Sequence, residues 1–148
     1  MSLNEKIADD LKHAMKAKDA FRLSCLRMLK SSIKNKQVEI GRELEDEEIQ
    51  KVISSLVRKN KEAADEFRAG GREDLATKEE SEVSLLYEYL PEQLTHEKMK
   101  EIVKEVISGL SAESPKDLGR VMKAAMARMA GQAEGKEVNK IARELLGS

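Results

Sequence analysis

Tryptophan is absent from this sequence of 148 residues, cysteine occurs once, proline and histidine twice each, and aromatic side chains make up 3%. A single cysteine, Cys25, excludes an intramolecular disulfide and speaks against a secreted disulfide framework or a Cys-rich metal site. No clusters of β-branched and aromatic residues bounded by turn residues occur, so strands are not expected. No apolar run approaches the roughly 18 residues that a membrane span needs. The N-terminus MSLNEKIADD carries no apolar signal core, and a cytoplasmic location is expected. What is present is 37% charged and 40% hydrophobic residues, mostly Leu, Ile, Val, Ala, Met, Glu, Lys and Arg, the mixture that helices favour. The length fits one domain or two small subdomains, which bury roughly 70% of the surface of the unfolded chain.

A net charge of −1 conceals an uneven distribution. From Lys12 to Lys36 there are eight basic residues against one acid, Asp19. Gly41 to Leu90 holds fourteen acids against eight bases, and Lys116 to Arg143 holds seven bases against three acids. Local basic stripes therefore matter more than overall charge.

Hydrophobic periodicity places seven helices. Leu3, Ile7, Leu11 and Met15 recur every four residues, which predicts a helix from Asn4 to Lys18. Asp19 caps a second, with Phe21, Leu23, Leu26, Leu29 and Ile33 on its apolar side. Asp46 is read as the cap of a third, which runs to Ala69 and stops at Gly70-Gly71. A fourth spans Glu73 to Leu90, with Leu75, Val83, Leu86, Tyr87 and Leu90 inward, and Pro91 stops it. Thr95 caps a fifth that Gly109 ends, Ser114-Pro115 starts the sixth, and the seventh follows GQAEG. The expected fold is all-α: an N-terminal four-helix subdomain over residues 1–91 and a C-terminal three-helix bundle over 92–148.

A search for chemistry removes most options. His13 and His96 have no second His, Cys or close carboxylate at ligand spacing, so no metal and no cofactor is expected. Cys25 lies among apolar helix positions and reads as a buried thiol. No nucleophile elbow, phosphate-cradling glycine loop or dinucleotide fingerprint occurs. Met122, Met126 and Met129 at helical spacing read as core. Basic stripes remain: Arg27, Lys30 and Lys34; Arg58 and Lys61, with Arg68 and Arg72 flanking the Gly70-Gly71 turn; Arg120 and Lys123; Lys136, Lys140 and Arg143. Such faces suit a phosphate backbone, and they equally suit a solvated helix surface paired with Glu at i, i+4. Few aromatics argue against a base-stacking single-strand binder.

Four stretches then carry a family resemblance: LRMLKSSIKN, SSLVRKNKEAADEFRAGGREDLATKEESE, YLPEQLT and LGRVMK followed by GQAEGKEVN. In that order, over nearly the whole chain, they resemble the GatB/YqeY domain family, and most of all its free-standing YqeY-like members. The last stretch is similar to the C-terminal tail of the B subunit of glutamine-dependent Asp-tRNA/Glu-tRNA amidotransferase. The matching residues are Gly119, Val121, Met122, Lys123, Gly131, Ala133, Gly135, Lys136, Val138 and Asn139, with Glu134 where an Asp is common. The resemblance implies four helices followed by three, and an association with tRNA. It implies a tRNA-binding accessory module in translation, with Arg58, Lys59, Lys61, Lys123, Lys136, Lys140 and Arg143 as phosphate contacts. An aminoacyl-tRNA synthetase or amidotransferase is the expected protein partner; neither DNA nor a membrane is. The alternatives are a helical protein–protein adaptor for such an enzyme and an independent carbon–nitrogen ligase with glutamine as amido donor. The latter lacks any nucleophile–base motif here, and no catalytic residue is assigned.

Overall fold

The computed structural model describes residues 1–147. These form seven α-helices and one short 3-10 turn, with no strand among the described residues. The all-α expectation holds, as do four helices followed by three. The chain divides into two compact units, Met1–Leu90 and Pro91–Ser148. No helix of the described residues is long and apolar enough to cross a membrane.

The first unit contains α1 (Leu3–Lys16), α2 (Ala20–Ile40), α3 (Asp46–Ala69) and α4 (Glu73–Tyr87). Ile7, Leu26, Leu29, Ile33, Ile49, Ile53, Val57 and Leu86 are buried in one core, drawn from all four apolar stripes. α3 and α4 form a tight hairpin with the most extensive packing of the unit. Asn60 is buried between them and donates from Nδ2 to Glu82 Oε2 at 2.9 Å, which satisfies its amide inside an apolar setting. Asp19 caps α2 as expected, accepting the Arg22 N–H at 3.1 Å. Asp46 is not a cap. Glu45 holds that position, and the Glu48 carboxylate reaches back to the Glu45 N–H at 3.0 Å. Asp46 instead accepts the N–H of Leu3 at 3.0 Å, so it closes the first turn of α1 from a distance.

Three helix ends share one device. The N–H beyond a left-handed residue bonds the carbonyl five residues back, which satisfies a carbonyl that the helix leaves open. Asp19 N–H to Ala14 O, Arg72 N–H to Phe67 O and Ala112 N–H to Ile107 O do this at 3.1, 2.8 and 3.0 Å. The left-handed residues are Lys18, Gly71 and Ser111, at φ 56°, 76° and 54°. This accounts for two corrections. α1 stops at Lys16, because Lys18 has already left the helical region. Gly109 does not end the fifth helix: it lies inside it, and Ser111 makes the stop as Ala112 is drawn under the core.

α4 ends at Tyr87 rather than Leu90. The next three N–H groups, Glu88 to Leu90, bond three residues back at 3.1 Å each, a tightening that precedes Pro91. The tighter turn carries Tyr89 into the core at 4% exposure, while Tyr87, expected inward, is half-buried. The Tyr89 hydroxyl donates to Asp10 Oδ2 on α1 at 2.6 Å, and Lys6 Nζ lies 5.5 Å from its ring centroid. Arg22 on α2 pairs with neighbouring Glu88 at 3.0 Å, so this turn is joined to two helices.

The second unit contains α5 (His96–Leu110), a 3-10 turn (Pro115–Asp117), α6 (Leu118–Arg128) and α7 (Gly135–Leu146). Met99, Val103, Val106, Val121, Ala125, Met129, Val138, Ile141 and Ala142 build its core. Met129 is fully buried and Met122 and Met126 pack beside it, so the methionine stripe is core, as expected.

Tyr89→Phe should lower the unfolding free energy of the first unit by about 1–2 kcal/mol in urea titrations at neutral pH. Burial and the adjacent Asp10 push the phenol above its ordinary 10.0. The folded state thus favours the protonated phenol, and the benefit is complete below pH 10 and lost as pH rises further. Parent and variant should therefore converge in more alkaline buffer; an equal midpoint at neutral pH would show that the bond adds nothing.

Candidate nucleic-acid interface

The bend between α6 and α7 is built from Met129 to Glu134. Its backbone turns at Gly131, whose φ of 73° suits glycine. Gln132 N–H closes the turn on Met129 O at 2.7 Å. The remaining carbonyls are met from the segment that precedes α5. Gln93 Nε2 donates to Gly131 O at 2.8 Å and to Pro91 O at 2.9 Å. Leu94 N–H donates to Gln132 O at 2.8 Å, and Gln132 Nε2 reaches Glu92 O at 3.3 Å. Pro91–Leu94 and Gly131–Gln132 are therefore one hydrogen-bonded unit. Sequence reasoning passed over Gln93 and Gln132, since nothing in a helical pattern marks a glutamine that bonds backbone 38 residues away.

The bend sets the start of α7. Gly135 is its first residue, Val138, Ile141, Ala142 and Leu146 are buried, and Ala133 is buried just before it. Lys136, Lys140 and Arg143 are exposed and, at i, i+4 and i+7, lie on the opposite side of the helix. Their axial spacings are about 6 and 4.5 Å. Arg143 Nε donates to Asn139 Oδ1 at 2.8 Å, which fixes the guanidinium along this face. Lys136 and Lys140 have no ion-pair partner among the described residues. Lys123 is likewise exposed and without such a partner on α6, opposite buried Val121 and Ala125. Its neighbours differ: Arg120 is held by Asp117 at 2.8 Å and Arg128 by Glu105 at 2.7 Å. Among the motif residues, Val121 is fully buried, Met122 packs on the core, and Gly119 is exposed with open space around it.

Arg58, Lys59 and Lys61 belong to the first unit, and the structure does not gather them on one face of α3. Arg58 is exposed opposite the core. Lys59 lines a groove between α2 and α3. Lys61 is half-buried, with Nζ 5.2 Å from the centroid of the Tyr87 ring.

Cys25 is 3% exposed, and burial pushes its thiol up to about 11, so at neutral pH it is a packed thiol rather than a nucleophile. Carboxylates do lie within helical reach of His13, contrary to the sequence reading: Asp9 and Asp10 bring oxygens within 4.8 Å of its ring and of each other. Two of these groups are already engaged. His13 Nδ1 bonds Asp9 O at 2.9 Å, and Asp10 accepts from Tyr89. His96 also has an acid nearby, Glu137 at 3.6 Å.

A family model described as Yqey-like protein matches residues 4–146. A Lachancea thermotolerans protein named "Altered inheritance of mitochondria protein 41, mitochondrial" is 39% identical over 82 residues, 55% of this chain and 44% of its own length. The Saccharomyces cerevisiae protein of that name is 34% identical over 82 residues, with the same coverage. That of Pyrenophora tritici-repentis is 29% identical over 146 residues, 97% of this chain and 80% of its own length. The chain thus spans less than half the length of the two yeast relatives that it matches.

Gln93→Ala leaves the Gly131 and Pro91 carbonyls without their side-chain donor. It should cost the second unit about 1–2 kcal/mol, read from its urea midpoint. Gln132→Ala, which removes a longer and exposed bond, should cost less. Equal small losses would show that water replaces both amides.

Proposed function

This chain belongs to the Yqey-like protein family, and from that premise we propose that it is a tRNA-binding accessory module related to the tail of tRNA-dependent amidotransferase. The single observation that carries this reading is the outer face of α7. Lys136, Lys140 and Arg143 stand along it about one turn apart, and two of the three have no carboxylate to hold them among the described residues. A row of exposed cations at this spacing engages successive phosphates rather than one acid. Lys123 adds a fourth cation on α6, and Lys136 sits in the first turn of α7, where backbone N–H groups and the helix dipole also favour an anion. Recognition of this kind reads backbone shape and charge, as expected for structured RNA met by a chain with few aromatics.

The reading assigns no reaction to the chain alone. Its one thiol, Cys25, is buried. An accessory module of this kind acts by holding tRNA near a synthetase or amidotransferase that performs the chemistry. A protein adaptor without RNA contact is the competing reading, and the two separate experimentally.

Binding of unmodified tRNA, followed by gel shift across a salt series, should weaken with a log–log slope of about −3 to −4 for four contacts. Lys136→Glu/Lys140→Glu should reduce that slope by about 2 while leaving helicity unchanged. No binding even at low salt, together with co-purification of a synthetase or amidotransferase in RNase-treated extract, would replace this reading with the adaptor.

A further inference from the structure

We propose that the groove between α2 and α3 is a binding site for a nucleoside monophosphate, separate from the RNA-binding face of α7. The groove has a volume of about 580 Å³, within the range of small-molecule clefts. On α3, Lys51, Ser55 and Lys59 follow at i, i+4 and i+8, one above another about 6 Å apart. Facing them on α2 are Ser32 and Asn35. Val52 and Leu56, both half-buried, form an apolar floor.

Charge in the groove is unevenly committed. Its two acids are already paired: Glu39 with Lys36 at 3.3 Å, and Glu48 with Arg42 at 2.7 Å. Glu48 also accepts the Glu45 N–H, and it stays charged because Arg42 holds it low, at about 2. Lys51 and Lys59 have no carboxylate within ion-pair distance among the described residues. Lys51 and Lys59 lie about 12 Å apart along the axis, and their long side chains reach one phosphate only by leaning toward each other over the Ser55 hydroxyl between them. The Asn35 amide and Ser32 hydroxyl offer donors and acceptors for ribose or base edges. Val52 and Leu56 suit the flat face of a base.

The same layout disfavours a continuous nucleic-acid strand. Glu39 ends α2 and Glu48 begins α3, so both carboxylates stand at the end of the groove nearest the connection between these helices. A polyanion running the length of the groove would meet them, whereas one phosphate held over Ser55 lies about two turns of α3 away from Glu48.

Titration of the full chain with AMP, read from backbone amide NMR shifts, tests this. AMP should saturate below about 10 mM with shifts centred on Ser32, Asn35, Lys51 and Lys59. Adenosine and inorganic phosphate should each bind more weakly than AMP, since each lacks half of the contacts. Lys51→Glu/Lys59→Glu, and Lys51→Met/Lys59→Met if the first is unfolded by circular dichroism, should weaken AMP by about tenfold or more. Lys136→Glu/Lys140→Glu should leave AMP affinity unchanged, so loss of tRNA binding and loss of the groove are told apart. The proposal is overturned by an absence of saturable shifts, by shifts centred outside the groove, by adenosine or phosphate matching AMP, or by lysine variants that bind AMP like the parent.

Discussion

The bend at Gly131 joins α6 to α7, and directed hydrogen bonds from the Pro91–Leu94 segment hold it. α6 and α7 have 11 and 12 residues, below the length at which isolated helices persist in water. Half of the buried core of this unit is small or flexible, Met99, Ala112, Ala125, Met129, Ala133 and Ala142, beside five β-branched residues and Leu146. Burial alone gives such a unit little selectivity for one arrangement. The chain between the helices must therefore be held by directed bonds, and Gln93 with the Leu94 N–H supplies them to Gly131 and Gln132. Left-handed geometry at Gly131 forms the turn, and the donors from the Pro91–Leu94 segment close it. Because α7 begins at Gly135, its basic face inherits its placement from this closure.

Arginine makes most of the ion pairs among the described residues, with Lys36–Glu39 and Lys98–Glu101 as lysine pairs. Arg22, Arg42, Arg68, Arg72, Arg120 and Arg128 each hold a carboxylate. Arg68 alone joins Glu73 and Glu80 across the α3–α4 hairpin. These pairs are largely exposed, so each contributes little to stability. Their effect is on what remains. The guanidinium fork fits a carboxylate with two bonds, and these arginines are used up within the fold. Lys51, Lys59, Lys123, Lys136 and Lys140 are left with no ion pair among the described residues. The formal charge of −1 thus says little about what the surface offers to an anion.

Helices were legible in the sequence because burial follows the 3.6-residue period. Ile49, Val52, Ile53, Leu56, Val57, Asn60, Ala64 and Phe67 could be read off as one helical pattern; five of the eight are buried, and Val52, Leu56 and Phe67 are half-buried. Ends were less legible where side-chain preference and backbone closure disagree. Gly109 looks like a stop, yet Ser111 makes it, because what matters is which residue lets Ala112 close on Ile107. Asp46 looks like a cap, yet a contact 43 residues away takes its carboxylate. The candidate interface was legible in α7, where periodicity alone places Lys136, Lys140 and Arg143 opposite the core. It was not legible in α3. Adjacent positions there diverge by about 100°, and only the packing of α2 and α4 decides that Lys59 meets a groove and Lys61 a tyrosine ring.

The same side chain can serve different anions, and its surroundings choose. Along α7 the cations stand on a convex helix face with no apolar floor and a repeat near one turn. Such a face gains with each added phosphate and has no means to enclose a single one. Between α2 and α3, Lys51 and Lys59 stand over Val52 and Leu56 within a bounded volume, and carboxylates close one end. Extending an anion along that groove brings repulsion, while filling it with one phosphate and a flat apolar body brings contact. A repeated face rewards a polymer, and an open groove with carboxylates at one end rewards a compact ligand. On that distinction the RNA contact proposed along α7 and the ligand proposed between α2 and α3 call on different lysines.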